Sequence, residues 1–259
     1  SMAHGLMIPS PGSTISTVLI YKGNYYFSGN FSGIPYLPGA EEIAMYDTVN
    51  GWSDMDGGFD SGGLDNVQDI KVFNGDIIAC GRLPVASGKF VNHIARWDGT
   101  EWHSLGGGAN SNINHMVVDT MNNFLYVSGA FTMAESISTG PLAKWDGYRW
   151  SDVGGYFDGF VSNHAMCMYR NEFFIGGESL SGSGPMTEHI LRWDGEQWLS
   201  VGGGVSGDAE VMSVYQDTLW IAGSFDTVGV GTQNLPSKYL AKWWMPANTH
   251  CNWLQPLIY

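Results

Sequence analysis

Five polar residues, Ser16, Gln68, Asn114, His164 and Glu210, fall at one position of a repeated pattern, and Asp69 and His115 directly follow two of them. These residue types could do several kinds of chemistry. Two carboxylates, Asp69 and Glu210, are the pair that acid–base hydrolysis of a glycosidic bond requires. Two imidazoles, His115 and His164, titrate near neutral pH and can make binding depend on pH. Amide and hydroxyl groups suit hydrogen-bonded recognition in a concave site, or a solvated lining that holds ordered water. Spacing argues against catalysis. Asp69 and Glu210 lie in the second and fifth of five repeated units, which are not neighbours if the units close into a ring, and no third carboxylate joins them. The sequence also lacks nucleophile-elbow, zincin, phosphate-loop and dinucleotide signatures. His93 and His189 share another register, but two imidazoles are not a metal site. No cluster of oxygen ligands recurs at fixed spacing, so neither a metal nor a cofactor is expected.

The elements that must position these residues follow from three periodic series. Trp97, Trp145, Trp193 and Trp243 are spaced 48, 48 and 50 residues apart, and Tyr46 stands 51 residues before the first. Trp52, Trp102, Trp150, Trp198 and Trp253 form a second series; Gly29, Gly81, Gly129, Gly177 and Gly223 form a third. Periods near 50 with glycine and aromatic marks indicate a propeller or solenoid. Each unit reads as four short strands, for example "VQDIKVF", "IIACGRL", "HIARW" and "EWHSL", with Asn-Gly and Asp-Gly at the hairpin turns. The predicted fold is therefore all-β: a five-bladed β-propeller with four antiparallel strands per blade. One domain spans 1–259, with blades at about 13–60, 61–111, 112–160, 161–207 and 208–259.

The phrase "IARWDGTEWHSLGGG" then reads as scaffolding. Its Trp rings fill the wedge between blades, Asp98 accepts hydrogen bonds from its own turn, and the glycines carry the chain to the next blade. Nine of the 11 Trp occupy repeat positions, leaving only Trp220 and Trp244 outside them. Arg96, Lys144, Arg192 and Lys242 precede the repeat aromatic, and are expected to lie along the neighbouring Trp faces with their heads on carboxylates. The segments joining second to third strands, such as "LPVASGKFVN" and "TMAESISTGP", read as long, irregular loops at the same end as the polar register.

The repeats, with their apolar-Gly second strands, resemble the WDG-type propeller repeats of secreted bacterial proteins, relatives of kelch and galactose-oxidase propellers. The resemblance covers all five units and implies export or surface display, with no single shared activity. The hairpin departs from the Asp-box of sialidase-type propellers: no Ser stands two residues before Asp98, Asp146 or Asp194.

Composition narrows the partners. The formal charge of −14 disfavours nucleic acid and anionic membranes, and no apolar run approaches the length of a membrane span. Cys80, Cys167 and Cys251 lack metal-type spacing and read as two buried thiols and one loop thiol. The leading Ser-Met resembles a cloning remnant, so the chain is expected to be a domain of a larger protein. The expected function is a non-catalytic recognition or display module, secreted or at the cell surface and monomeric as an isolated domain. It would bind a protein or polysaccharide partner through the loop-rich face. A carbohydrate-binding, lectin-like propeller is the alternative, and the second is a glycosidase-like enzyme with its centre at the channel mouth, which Ser16, Gln68, Asp69, Asn114, His115, His164 and Glu210 are expected to line.

Overall fold

In the computed structural model, residues 13–34, 37–59, 66–154, 165–177, 189–230, 233–244 and 252–253 are described. Among them there is no helix, and the chain builds five four-stranded antiparallel sheets, each in simple sequence order. Sheet 1 comprises Thr14–Tyr21, Asn24–Ile34, Leu37–Asp47 and Gly51–Ser53. Sheet 2 comprises Val67–Phe73, Asp76–Gly81, Ile94–Trp97 and Trp102–Ser104. Sheet 3 comprises Ile113–Asp119, Phe124–Gly129, Leu142–Trp145 and Trp150–Asp152. These three sheets lie in one compact unit. A second unit holds sheet 4 (Ala165–Tyr169, Glu172–Gly176, Ile190–Trp193, Trp198–Ser200) and sheet 5 (Asp208–Tyr215, Thr218–Ser224, Leu240–Trp244, Asn252–Trp253).

The hairpin between third and fourth strands is built alike in successive sheets. Asp98 Oδ1 accepts the Thr100 and Glu101 N–H groups at 2.9 and 3.0 Å, and Asp146 and Asp194 accept the corresponding pairs. These bonds hold the three carboxyls below the usual aspartate range. Gly99, Gly147 and Gly195 supply the left-handed residue at φ +107°, +101° and +106°. Across the hairpin the aromatic pairs Trp97–Trp102, Trp145–Trp150 and Trp193–Trp198 meet at 5.3, 5.2 and 5.2 Å in tilted geometry.

The rings do more than fill space. Trp102 Nε1 donates to the Met55 carbonyl at 2.9 Å, and Trp150 Nε1 to the Leu105 carbonyl at 2.8 Å. In the second unit Trp198 Nε1 donates to Gly154 at 3.0 Å. Each buried indole thus satisfies its donor on the segment leaving the previous fourth strand. The triple glycine is needed in the same place: a Cβ on Gly106 would lie 2.9 Å from the Trp145 ring, and one on Gly108 would lie 2.4 Å from the Asn92 carbonyl.

The cations behave partly as expected. Arg96 pairs with Asp76 at 2.6 Å and Arg192 with Glu172 at 2.5 Å. Lys144 and Lys242 instead stand over second-strand rings, Phe124 at 5.1 Å and Trp220 at 5.9 Å.

The segments between second and third strands are more regular than their composition suggested. Val85–Ala86 pairs with Lys89–Phe90, Met133–Ala134 with Ile137–Ser138, and Thr227–Val228 with Leu235–Pro236. Each ribbon is fastened to the incoming connector through single bridges, Phe59 to Ala86, Ala109 to Ala134 and Val205 to Val228. The loop at 178–188, equivalent in sheet 4, lies outside the described residues. Short ribbons closed by Gly and Ser carry little strand pattern, which is why they read as irregular.

Two substitutions separate the roles of the Trp pair. Trp145→Ala deletes a buried ring and is expected to cost about 3–5 kcal/mol. Trp150→Phe keeps most of the apolar area but strands the Leu105 carbonyl, for an expected cost of about 1–3 kcal/mol. Urea melts check both: an unchanged midpoint for Trp145→Ala would show that the ring is not part of the packing, and one for Trp150→Phe that the bond to the Leu105 carbonyl contributes nothing to stability.

Candidate functional site

In sheets 1, 2 and 5 the polar register is a β-bulge. In sheet 1 the ladder runs Ile15 opposite Gly29 and then Thr17 opposite Ser28, so Ser16 is the extra residue. In sheet 2 Gln68 is extra between Val67 and Asp69, and in sheet 5 Glu210 is extra between Ala209 and Val211. A bulge inserts one unpaired residue, bends the strand and re-aims its side chain. Ser16, Gln68 and Glu210 are accordingly exposed, and Asn114 and His115 are half-buried. His164 lies outside the described residues.

The register glycines are the other half of the same feature. A Cβ on Gly29, Gly81, Gly129 or Gly223 would stand 2.0, 2.0, 2.1 or 1.9 Å from a carbonyl in or just before the first strand (Thr14, Asn66, Asn112 and Asp208, respectively). Only a residue without Cβ lets the bulged strand lie so close. The amides of Gly81, Gly129, Gly177 and Gly223 donate in turn to the carbonyls of His93, Pro141, His189 and Tyr239, each the residue immediately before a third strand. His93 and His189 therefore share a register for a backbone reason: both take a left-handed turn, at φ +74° and +55°. His93 is held below the usual histidine range by burial.

Residues following the bulges act as stitches within the first unit. Thr17 Oγ1 donates to the Gln68 carbonyl at 3.3 Å. The buried Asp69 accepts the Met116 N–H on Oδ2 at 3.0 Å and the Lys71 ammonium on Oδ1 at 2.5 Å. Both carboxylate oxygens are thereby engaged. Gln68 Nε2 donates to Asn66 Oδ1 at 2.8 Å, and in the second unit Glu210 Oε1 accepts Ser224 Oγ at 2.6 Å. The structure brings Ser16, Gln68, Asp69, Asn114 and His115 to the corresponding ends of consecutive first strands in one unit. Glu210 belongs to the other unit and is described with it alone.

Burial pushes the His115 imidazole below the usual histidine range; the Asp69 carboxylate opposes that shift and the Lys71 ammonium reinforces it. Next to this group the Cys80 thiol is buried and pushed well above its ordinary value, and Cys167 is buried and pushed up to about 12. Neither is a poised nucleophile at neutral pH. Cys251 lies outside the described residues.

Sequence reading missed one ligand-like trio. Asp98, Glu101 and His103 bring ligand atoms within 4.8 Å of one another at the hairpin of sheet 2, the one such group among the described residues. Its atoms are occupied by structure: Asp98 Oδ1 caps the turn, Oδ2 meets His103 Nε2 at 2.7 Å, and Glu101 pairs with Lys89 at 2.5 Å.

No protein-family model matches the sequence, and no curated protein sequence matches it. Among solved structures the chain is similar to YjhT, with a TM-score of 0.51 and 14% identity, over 95% of this chain and 86% of that one. A computationally designed protein, Ika8, aligns with a TM-score of 0.47 and 12% identity over 95% of this chain and 78% of that one. The first likeness concerns fold alone, and the second is too distant to carry an argument.

His115 offers a direct check on the electrostatics. Its depressed pKa means that the folded chain resists a proton that the unfolded chain accepts below about 6.5. The stability it contributes is therefore present above that pH and is lost as pH falls toward the folded value. NMR titration of the imidazole is expected to place its midpoint below 6.5, with Lys71→Met raising it and Asp69→Asn lowering it further. Shifts of opposite sign would mean that the imidazole does not face this ion pair.

Proposed function

We propose that the chain is a five-bladed, closed β-propeller of the secreted bacterial WDG-repeat kind that acts as a non-catalytic recognition or display module. In this reading it works at the cell surface or outside the cell, as a monomer when isolated, and without metal or cofactor. The five consecutive four-stranded sheets, the 48–51-residue repeat and the fold-level likeness to YjhT support the propeller. The partner is a protein or a polysaccharide, met by the end of the sheets that carries the ribbons and bulges.

One observation carries the recognition reading. The ribbons at this end are fixed to the scaffold by backbone hydrogen bonds, such as Glu135 N to the Gly108 carbonyl at 2.7 Å, yet display apolar side chains to solvent. Phe90, on the first ribbon, is 80% exposed. A large aromatic held in place before binding loses little freedom on contact, which is how interface anchors gain affinity. The commitment of Asp69 to a backbone N–H and a lysine supports a non-catalytic role, since a general acid or base must be free to exchange its proton. The charge of −14 points the same way as before, to partners other than nucleic acid or anionic lipid.

Glycan arrays and a panel of extracellular-matrix and cell-envelope proteins test this reading with wild type, Phe90→Ala and Gln68→Ala/His115→Ala. Binding is expected to weaken by roughly tenfold or more in Phe90→Ala, with the melting temperature unchanged. Turnover of a chromogenic glycoside that Asp69→Asn abolishes would overturn the non-catalytic assignment. A ligand that ignores Phe90 but needs Gln68 and His115 would move the contact from the ribbons to the bulge residues.

A further inference from the structure

The ribbons of sheets 2, 3 and 5 share one register. Beside sheet 2 the Val91 N–H donates to the Pro84 carbonyl at 2.9 Å, and Phe90 stands opposite Val85. Antiparallel ladders alternate, so the N–H and C=O of Phe90 point away from Val85 and across the outer edge of the ribbon. Beside sheet 3 the Thr139 N–H donates to Thr132 at 3.1 Å, which gives Ser138 the outward position. Beside sheet 5 the Ser237 N–H donates to Asp226 at 2.8 Å, and the outward residue is Pro236. The inner edge of each ribbon is bridged to a connector, at Phe59, Ala109 and Val205. Among the described residues no strand pairs with the outer edges. Such an edge is a template for another strand. Pro236 has no N–H and closes its ribbon to that pairing; Ser138 keeps both groups without an apolar side chain. Phe90 combines the outward main-chain pair with a ring, and the residue is 80% exposed.

From this we infer that the partner is a protein, and that an extended segment of it pairs main chain to main chain with Phe90; the inference rests on the recognition reading above and chooses polypeptide over polysaccharide. The polar side chains around the ribbon decide between the two. Sugar hydroxyls need side-chain donors and acceptors, and here those are committed to the scaffold. Ser87 Oγ donates to the Asp56 carbonyl at 2.6 Å, and Asn92 Nδ2 to the Gly107 carbonyl at 2.9 Å. Lys89 pairs with Glu101 at 2.5 Å and reaches the Trp102 carbonyl at 3.4 Å. A peptide needs none of these groups. Its own N–H and C=O answer those of Phe90, and an apolar side chain beside them covers the ring. The charge of −14 draws a segment that carries Lys or Arg.

Panning a phage-displayed library of random linear peptides on the wild-type chain tests this. Enriched peptides are expected to alternate apolar and basic residues. Synthetic copies with N-methyl groups on alternate amides are expected to bind roughly tenfold or more weakly in one of the two methylation registers. On the chain, Phe90→Ala removes the ring and keeps the N–H, whereas Phe90→Pro removes both, as Pro236 does in the ribbon of sheet 5. Phe90→Pro is expected to bind the peptides about tenfold more weakly than Phe90→Ala, at the same melting temperature. Peptides indifferent to N-methylation in both registers, with Phe90→Pro no worse than Phe90→Ala, would overturn the pairing and leave Phe90 as a side-chain anchor. A library that yields no Phe90-dependent peptide would overturn the choice of a protein partner. Phe90-dependent binding on a glycan array would then leave the recognition reading standing, and its absence would remove both.

Discussion

Opposite one glycine in each of several sheets, the first strand carries a residue too many. The bulge that results presses a carbonyl to about 2 Å from where a Cβ would stand, at Gly29, Gly81, Gly129 and Gly223. Much else at that end of the sheets follows from this close approach. The extra residue cannot join the ladder, so its side chain turns out of the sheet, and a polar residue occupies the position because it meets water. The next residue resumes the ladder on the face turned toward the neighbouring sheet. From there Thr17 and Asp69 reach that sheet's backbone at 3.3 and 3.0 Å. A series that looks like a site is first a consequence of strand geometry, and any ligand-binding role is built on top of it.

At the other edge of sheets 2, 3 and 4 the corresponding constraint is the indole donor. The buried indoles of Trp102, Trp150 and Trp198 each donate to a main-chain carbonyl just after the previous fourth strand. That bond fixes where the connector runs, and the glycines of the connector let it pass beneath the rings. The Asp-Gly hairpin sets the two rings of each pair at nearly constant separation, so successive pairs repeat the same wedge.

Much of this was legible from residues alone. Three registers of Trp and Gly located every sheet, and the Asp98 turn bonds followed from Asp-Gly between paired Trp. The bulge was missed although its signal was present: an isolated Gly inside a strand pattern often marks one. Reading Gly81 and Gln68 together, as two sides of one irregularity, would have found it. The role of Asp69 was not legible, because its partner Met116 N–H lies 47 residues away and a backbone donor leaves no trace in residue type. The ribbons were hidden by their Gly and Ser content, and the second-strand partners of Lys144 and Lys242 by lying across a sheet rather than along it.

The geometry of the bulged end depends on whether the register glycines are there to admit a carbonyl. Urea unfolding of Gly81→Ala against Gly88→Ala decides this most directly. Gly88 has a left-handed φ of +74° but nothing within 4 Å of its would-be Cβ, so the strain of an alanine there is expected to cost about 1 kcal/mol. Gly81 has no such backbone need, but its Cβ would stand 2.0 Å from the Asn66 carbonyl, so Gly81→Ala is expected to cost well over about 3 kcal/mol or to abolish folding. A Gly81→Ala chain that unfolds within about 1 kcal/mol of wild type would contradict the bulge as the organising constraint.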